Sequence, residues 1–345
     1  MKQTVIPSVV GVDTGKADLG MLNLGNFSRG RRKTAQPHSI TWDGTTYLVG
    51  KNAERFTRPI ERMSFQRLSD GPDTRALTYA ALGTLTSSGE AHYNLMVGFP
   101  VEVLKDAETG KRTLRTLRQW LQGSHEFVLD GEMYQVHIES IRAMAQPAGG
   151  FFAWGLDDNG SWVRAPQDLK ALVGVCDIGF NTLDLFGVQG GQVLGEYTDG
   201  DTAGARRAAE VLMDIVQRQY GVRLSRHEAD DYLRQASPIL SCAAGDIDVT
   251  PIVRQALSVA AAGITDFINR RWERQARLRH KLFTGGGAML FREFLTQEYP
   301  DAVLLPDSVT ANALGLARYG RRVWKGAAVV GLDPGFGGFK AVLLS

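Results

Sequence analysis

The most informative stretch of this 345-residue chain is Val329-Val330-Gly331-Leu332-Asp333-Pro334-Gly335-Phe336-Gly337-Gly338-Phe339-Lys340-Ala341-Val342-Leu343-Leu344. An apolar run ends at Asp333, three glycines follow within four positions, and a second apolar run begins around Lys340. Glycines let backbone N–H groups approach an anion without interference from a Cβ, and successive N–H groups form a nest for phosphate. A carboxylate at the strand end suits Mg²⁺, and the lysine adds a positive charge for the phosphates. Taken alone, the stretch fits an ordinary β-hairpin equally well.

A second stretch repeats this plan: Val173-Gly174-Val175-Cys176-Asp177-Ile178-Gly179-Phe180-Asn181-Thr182-Leu183-Asp184. Two such hairpins can face each other across a cleft and hold a polyphosphate and its metal between Asp333 and Asp177. A third glycine cluster, at residues 283–289, lies between an apolar run and a predicted helix, where the backbone can pack flat against a base and a ribose. Together, the three clusters predict a nucleotide site.

The composition excludes several classes of protein. With 43% hydrophobic and 22% charged residues the chain is typical of a soluble globular protein. Its 39 basic and 37 acidic residues are too evenly balanced to favour direct binding of nucleic acid or of an anionic membrane. Two cysteines, Cys176 and Cys242, cannot make a disulfide framework, so we expect a cytoplasmic location, with Cys176 a buried small hydrophobe. No apolar run approaches the roughly 18 residues of a membrane helix.

The apolar spacing predicts strands and helices that alternate along the chain, which is the pattern of an α/β fold. Strands are predicted in the first apolar run, residues 4–12, and over 39–49, 93–101, 127–129, 133–141, 171–175, 182–188, 192–197, 280–283, 327–332 and 339–344. Helices are predicted over 73–85, 108–121, 147–153, 202–220, 226–235, 250–277, 290–298 and 307–319.

These stretches resemble the actin superfamily, which includes actin, MreB, ParM and archaeal actin-like proteins as well as sugar kinases and chaperone ATPases. Asp333 to Lys340, with its seven-residue spacing, looks like the family's first phosphate loop, and residues 177–182 look like its second. The resemblance covers almost the whole chain. Asp201-Thr202-Ala203-Gly204 looks like the start of the connecting helix, residues 285–290 match the adenosine motif, and Asn312-Ala313-Leu314-Gly315 falls in a second connecting helix. Gln146, before Pro147-Ala148-Gly149, matches the residue that orients the attacking water.

The resemblance implies a two-lobed actin-like fold that binds ATP or ADP with Mg²⁺ between its lobes. One lobe would hold residues 1–163 and 318–345, with a small subdomain at about 20–75, and the other residues 164–317. It further implies self-assembly into cytoskeletal filaments with slow hydrolysis of ATP, in plasmid or DNA segregation or in cell organisation, with an adaptor that the sequence does not identify. The implied site comprises Gln146 for catalysis; Asp333 and Asp177 for Mg²⁺ through water; Gly335, Phe336, Gly337, Gly338, Phe339, Lys340, Gly179, Phe180, Asn181 and Thr182 for phosphate; and Gly204, Gly285, Gly286, Gly287, Met289 and Leu290 for adenosine.

The order of these stretches departs from the family, because the first phosphate hairpin closes this chain instead of opening it. Lys2-Gln3-Thr4-Val5-Ile6-Pro7-Ser8 looks like the third strand, which normally follows that hairpin. We therefore expect a circular permutant in which residues 4–8 and 341–344 are antiparallel neighbours and the termini lie close together. A competing phosphate turn, Val10-Gly11-Val12-Asp13-Thr14-Gly15-Lys16, lacks the further glycines and has Gly20 where the lysine should be.

Other departures are local and leave alternatives open. Phe336 and Phe180 replace small polar residues of actin, and Asp184 replaces a histidine, so Gln146 is the only evident group for positioning water. A glutamine orients water but cannot act as a base, which predicts slow hydrolysis. Arg234 is either a solvated residue on a helix face, which the pattern favours, or a group that reaches the adenine. A small-molecule kinase of the same superfamily and a nucleotide-binding scaffold without turnover are the alternative functions.

Overall fold

The computed structural model describes residues 1–15, 36–60, 69–87, 89–202, 204–243, 245–272 and 275–345. Of the predicted small subdomain at 20–75, residues 20–35 and 61–68 lie outside these ranges. The described strands are β1 (Lys2–Pro7), β2 (Val10–Val12), β3 (His38–Trp42), β4 (Thr45–Val49), β5 (Gly89–Phe99), β6 (Gly123–Leu129), β7 (Glu132–Ala145), β8 (Leu172–Ile178), β9 (Leu183–Gln189), β10 (Gln192–Asp201), β11 (Ile239–Cys242), β12 (Gly245–Asp248), β13 (His280–Thr284), β14 (Val303–Leu304), β15 (Val329–Pro334) and β16 (Gly338–Leu344).

Eleven α-helices lie in the described ranges and alternate with these strands, so the α/β class is confirmed. Among the described residues, no helix has the length and apolar character needed to cross a membrane. The helices are α1 (Pro72–Leu85), α2 (Val101–Lys105), α3 (Ala107–Leu121), α4 (Gln146–Gly155), α5 (Pro166–Lys170), α6 (Arg206–Tyr220), α7 (Arg226–Leu233), α8 (Thr250–Arg271), α9 (Gly286–Leu290), α10 (Arg292–Glu298) and α11 (Ser308–Val323).

The strands form two large sheets. The first has the order β1-β16-β15-β5-β7-β6-β3-β4-β2, and the second the order β10-β9-β8-β13-β14. All seven residues of β8 are buried, as expected for a strand that is covered on both faces. Each sheet has its own large apolar core, with α1 packing on the first sheet and α6 and α8 on the second. The first sheet takes its strands from both ends of the chain, and the division into two lobes stays a prediction. The exact boundaries at 163 and 317 stay a prediction.

The two chain ends are neighbours in the first sheet. β1 pairs antiparallel with β16 in a continuous register from Lys2 opposite Leu343 to Pro7 opposite Gly338. The prediction that the two segments are antiparallel neighbours is therefore confirmed, and the two termini lie side by side. The register differs from the predicted ranges, because of residues 4–8 only Thr4 lies opposite a residue of 341–344, while residues 5–7 lie opposite 340–338.

Several elements differ from their predictions, and α2, α5 and β14 have no predicted counterpart. The apolar run at 4–12 forms two strands, because β1 ends at Pro7 after pairing with β16, whereas β2 pairs with β4. The helix predicted over 250–277 ends at Arg271, and a 3-10 turn follows at Gln275–Arg277. The hairpin of β11 and β12 has no counterpart in the prediction, since its strands are four residues long and carry few apolar side chains.

Two helices connect the two sheets by crossing at very short range. α4 packs against α11, and a Cβ added to Gly149 would overlap the backbone of Asn312. A Cβ at Gly315 would likewise overlap the carbonyl of Gly149. These glycines are required because the two helix backbones approach each other more closely than any side chain permits. α11 also packs on β15 and β16, so it spans the predicted lobe boundary.

Candidate functional site

The C-terminal hairpin turns sharply between Asp333 and Lys340. Gly335 N donates to Gly338 O at 3.2 Å and closes the turn. Ser8, just after β1, holds the turn from outside, since its hydroxyl donates to Gly335 O at 2.7 Å. Asp333 and Lys340 are opposite each other in the ladder, and the Lys340 Nζ lies 3.1 Å from Asp333 Oδ2. The hairpin therefore presents a carboxylate and an ammonium group beside a glycine turn.

The hairpin of β8 and β9 has the same form. Gly179 N donates to Thr182 O at 2.9 Å. The residues just before α6 hold the turn in place, since Ala205 N donates to Gly179 O at 3.0 Å. Arg206 Nη1 donates to the Asn181 side chain at 3.0 Å. A Cβ on Gly204 would lie 2.6 Å from Gly179 O, so this glycine permits the backbone just before α6 to contact the turn.

The two turns face each other across a cleft. A Cβ added to Gly337 would come within 2.8 Å of the Phe180 Cβ, so the C-terminal turn meets the turn of the second sheet. The glycine is needed here because Phe180 occupies the space that a side chain would take. Gln146, at the start of α4, lies below the turns and donates from Nε2 to Asp333 Oδ1 at 2.7 Å and to Pro334 O at 3.1 Å.

The bottom of the cleft holds two buried carboxylates, Asp177 and Asp333. Burial, reinforced by the nearby Asp333 carboxylate, raises the pKa of Asp177 to about 7. The positive charge of Lys340 and a hydrogen bond from Asn312 oppose this rise. With one ammonium group for two carboxylates, the cleft lacks positive charge, and a cation bound there would stabilise both ionised carboxylates.

Asn312 anchors Asp177 from α11. Its Nδ2 donates to Asp177 Oδ2 at 2.8 Å, and its carbonyl accepts from the Thr284 hydroxyl at 3.3 Å. Gly285, between β13 and α9, has φ +89°, and a Cβ there would overlap Asp177 Oδ1 and the Ile178 carbonyl. The sequence places Asn312 in a connecting helix, but its contact with Asp177 joins residues 135 positions apart and is visible only in the structure.

Comparison with known proteins identifies the fold. Residues 1–149 match the family model for the N-terminal domain of actin-like proteins, and residues 175–297 match that for the C-terminal domain of archaeal MreB-like actin homologues. The chain is a member of the actin-like superfamily. No curated protein sequence matches it.

Solved structures agree with the actin-like fold. An archaeal actin homologue, Ta0583, in complex with ADP superposes with a TM-score of 0.69 at 18% identity, covering 93% of each chain. The apo pSK41 ParM protein superposes with a TM-score of 0.67 at 15% identity, covering 94% of this chain and 92% of its own. A ParM filament structure from Clostridium botulinum superposes with a TM-score of 0.66 at 17% identity, covering 93% of each chain. At these identities the likeness shows the fold alone.

Most of the site residues predicted for this actin-like protein line one cleft. Those that do are Gln146, Asp177, Gly179, Phe180, Asn181, Thr182, Gly286, Gly287, Asp333, Gly335, Phe336, Gly337, Gly338 and Lys340. Val5, Pro100, Asp230 and Val309 also line it and are absent from the prediction.

Five predicted residues lie outside the lining. Phe339 is buried in the core of the first sheet, and Leu290 packs against the core of the second. Met289 is exposed, and Gly204 supports the turn at Gly179. Gly285 lies behind the wall, against Asp177. Direct contact of these five residues with a ligand stays a prediction without geometric support.

Arg234 lies at the cleft and not on a purely solvated helix face, which the pattern had favoured. It follows α7 and is held by Asp230, with both Nε and Nη2 donating to the carboxylate at 2.9 Å. Its Nη1 donates to Gly286 O at 3.4 Å, across the end of the cleft. Arg234 therefore lines the cleft, and the alternative that it reaches a base stays a prediction.

Neither Asp184 nor the described part of the competing turn, residues 10–15, lines the cleft. Asp184 is buried under the β8–β9 hairpin, where Oδ1 accepts from Val101 N at 3.1 Å and Oδ2 has no partner among the described residues. Burial, followed by the negative charge of Asp177, raises the pKa of Asp184 well above its usual value. β2, which begins the competing turn, pairs with β4. Lys16 lies outside the described residues.

Proposed function

We propose that this protein binds ATP with Mg²⁺ in the cleft, assembles with itself into filaments and hydrolyses the ATP slowly. The observation that supports this most strongly is the pair of opposed glycine turns, with Asp177, Asp333 and Lys340 between them. Backbone N–H groups in such turns bind phosphate oxygens without requiring a cationic side chain at each one. Nucleotide binding is also the property named for one structural relative, the archaeal actin homologue solved with ADP.

The chemistry of Asp333 and Asp177 fits Mg²⁺. Both are hard oxygen donors at the bottom of the cleft, and burial together with the Asp333 carboxylate raises the pKa of Asp177, so a cation would stabilise its ionised form. Mg²⁺ keeps most of its water ligands, so two carboxylates can hold it through water. Asp177 and Asp333 would hold the ion, which would supply positive charge that offsets the negative charge of the phosphates. Lys340, which is paired with Asp333 in this structure, would then contribute its ammonium group to the phosphates.

Gln146 is suited to orient a water molecule. Both hydrogens of its Nε2 are used, one by Asp333 Oδ1 and one by Pro334 O, so the direction of the amide is fixed. No described residue donates to the other amide atom, Oε1, which is left to accept a hydrogen bond from water in the cleft. A water held in this way keeps a lone pair free to attack phosphorus. Because Gln146 cannot remove the proton, we expect slow hydrolysis.

The base would lie at the end of the cleft beyond the phosphates, between Gly286–Gly287 and Arg234. Glycine backbone allows the flat face of a purine to approach closely. The guanidinium of Arg234 is planar and held by Asp230, and such groups stack on aromatic rings. This arrangement supports a purine nucleotide as the ligand.

Self-assembly is proposed because the cleft and the bulk of the molecule are mechanically linked. α4 contributes Gln146 to the cleft and α11 contributes Asn312, and the same two helices cross at Gly149 and Gly315. A nucleotide that changes the separation of the two turns would therefore shift the two sheets relative to each other. Ligand-dependent selection of one conformation can favour contact with a second copy. Filaments are named for structural relatives such as the Clostridium botulinum ParM.

We also infer that the chain order is a circular permutation of the actin-like order. In the family the hairpin equivalent to β15–β16 comes first and the strand equivalent to β1 comes third. Here β1 and β16 pair in register, and both termini lie at the same end of that pair. Joining Ser345 to Met1 by a short turn would recreate the family order without moving any strand.

Sedimentation and turnover assays test the proposal. We expect the purified protein to pellet with ATP and Mg²⁺ and to release phosphate slowly, and expect both to be lost with EDTA. Asp177→Asn should abolish pelleting, while Asp43→Asn, in an exposed turn where φ is +49°, should behave as the parent. ATP binding without pelleting or turnover would favour the scaffold alternative, and phosphate transfer to sugars or acetate would favour a kinase. Absence of ATP binding would refute the proposal.

A further inference from the structure

A basic pocket lies at the end of the second sheet opposite the glycine turns. It has a volume of about 590 Å³ and is lined by the start of β8, the end of β9 and the start of β10. Three cationic residues line it, Lys170, Arg277 and Arg279. Arg279 pairs with Asp168 at 3.2 Å, whereas Lys170 and Arg277 form no ion pair with any described residue. Glu196 is the only acidic residue of the lining, so the pocket has a positive net charge.

The β9–β10 turn separates this pocket from an apolar groove of about 500 Å³. Neighbouring residues face the two cavities, with Val193 on the groove and Leu194 on the pocket, and likewise Leu169 and Lys170. Val193 is 55% exposed at this ridge. The two cavities therefore form one surface with apolar and cationic parts side by side.

The β11–β12 hairpin has the complementary character. Residues 239–248 contain Asp246 and Asp248 and no basic residue. Ile239 is 45% exposed, and both aspartates are exposed without an ion pair among the described residues. Hydrogen bonds from Thr250 lower the pKa of Asp248, which keeps it ionised. The hairpin thus presents an apolar side chain and two negative charges to solvent.

The hairpin and the basic pocket lie at opposite ends of α8. At the first end, Thr250 N donates to Asp248 Oδ1 at 2.9 Å. At the other end, Arg271 donates to Gly195 O at 3.0 Å, beside the pocket residues Leu194 and Glu196. A helix of 22 residues is about 33 Å long, so the two surfaces cannot meet within one molecule. When one surface of a copy binds a different surface at the opposite end of the next copy, the contact is head-to-tail. Such a contact repeats into an open filament unless its rotation closes a ring.

We propose that the acidic β11–β12 hairpin of one copy docks into the basic pocket of the next copy. Asp246 would lie against Lys170 and Arg277, and Ile239 against the apolar ridge at Val193. This inference rests on the proposed self-assembly and identifies the two surfaces that make the contact.

Charge reversal tests the contact. Arg277→Glu and Asp246→Lys should each raise the critical concentration for ATP-dependent pelleting at least about tenfold, because like charges would then face each other across the interface. The variant with both changes should recover most of the parent's behaviour, since the pair is restored with opposite polarity. Arg115→Glu, which reverses an exposed charge on α3, is the matched control. Unchanged pelleting of both single variants, or no recovery in the double variant, would overturn the contact.

Disulfide trapping tests the contact independently of filament formation. Cys242 lies in the hairpin, whereas Cys176 is fully buried, so Lys170→Cys adds one thiol opposite Cys242 of the next copy. Under mild oxidation we expect a ladder of covalent dimers and larger species, which is absent for Arg115→Cys. A ladder without pelleting would contradict the filament proposal and keep the contact. Pelleting without a ladder would contradict the contact and keep the filament proposal.

Discussion

Replacing Asp177 by Asn removes one carboxylate from the bottom of the cleft while keeping the shape of the side chain. Burial and the neighbouring Asp333 carboxylate raise the pKa of Asp177 from 3.8 to about 7, so its ionised form destabilises the nucleotide-free fold. The amide of Asn has no charge to bury, and its oxygen can still accept the hydrogen bond from Asn312. We therefore expect Asp177→Asn to be more stable than the parent at neutral pH, although it binds ATP poorly.

The expected gain follows from proton linkage. Between pH 3.8 and about 7 the folded parent binds more protons at this site than the unfolded chain. Its free energy of unfolding therefore falls as the pH rises through that window. At about 1.4 kcal/mol per pH unit, a rise in pKa of about three units destabilises the folded parent by about 4 kcal/mol. This destabilisation is present in full above pH 7 and absent near pH 4. The amide that replaces the carboxyl group does not titrate, so the variant does not lose stability in this way.

Urea unfolding of both proteins in EDTA, between about pH 4 and pH 8, measures this difference directly. Asp43→Asn is the control, because it makes the same chemical change in an exposed turn. We expect the gain of Asp177→Asn to grow with pH, while the control shows no trend. A variant that is less stable than the parent at pH 8, or equally stabilised at every pH, would refute the reasoning about the buried carboxylate.

Three further predictions follow from the site and the chain ends. Gln146→Ala should slow phosphate release by about 100-fold through misplacement of the water, with ATP affinity largely kept; an equal loss of both would exclude the water-orienting role. Gly285→Ala should cost at least about 1–2 kcal/mol of stability in urea, because φ is +89° and its Cβ overlaps Asp177. Gly286→Ala, with open space around its Cβ, should cost less; equal losses would contradict this. Joining Ser345 to Met1 and opening the chain before Ala327 should preserve stability within roughly 1 kcal/mol, and failure to fold would contradict the permuted order.

The elements that the sequence predicts well are those with a strong apolar pattern. β8 and β15 are continuous apolar runs that end in an aspartate and a glycine turn, so both their burial and their position at the cleft follow from local sequence. The break after Pro7 is harder to predict, because the residues on both sides are apolar and only their different partners separate β1 from β2.

The site was predictable where chemistry is local and unpredictable where it depends on distant contacts. The two turns carry their glycines and aspartates within a few residues of each other. Asn312 contributes through a hydrogen bond to Asp177, and Ser8 through one to Gly335, and neither contact has a signal in its own stretch of sequence. Arg234 is positioned by Asp230, four residues earlier, but the carbonyl of Gly286 that it reaches comes from another element.

A crystal structure with Mg²⁺ and a non-hydrolysable ATP analogue tests the central claim most directly. We predict the β- and γ-phosphates between the turns at 335–340 and 179–182, with the metal between Asp333 and Asp177 and the base beside Gly286 and Arg234. A nucleotide bound at the turn of residues 10–15, or a cleft that stays empty at saturating analogue, would contradict the account.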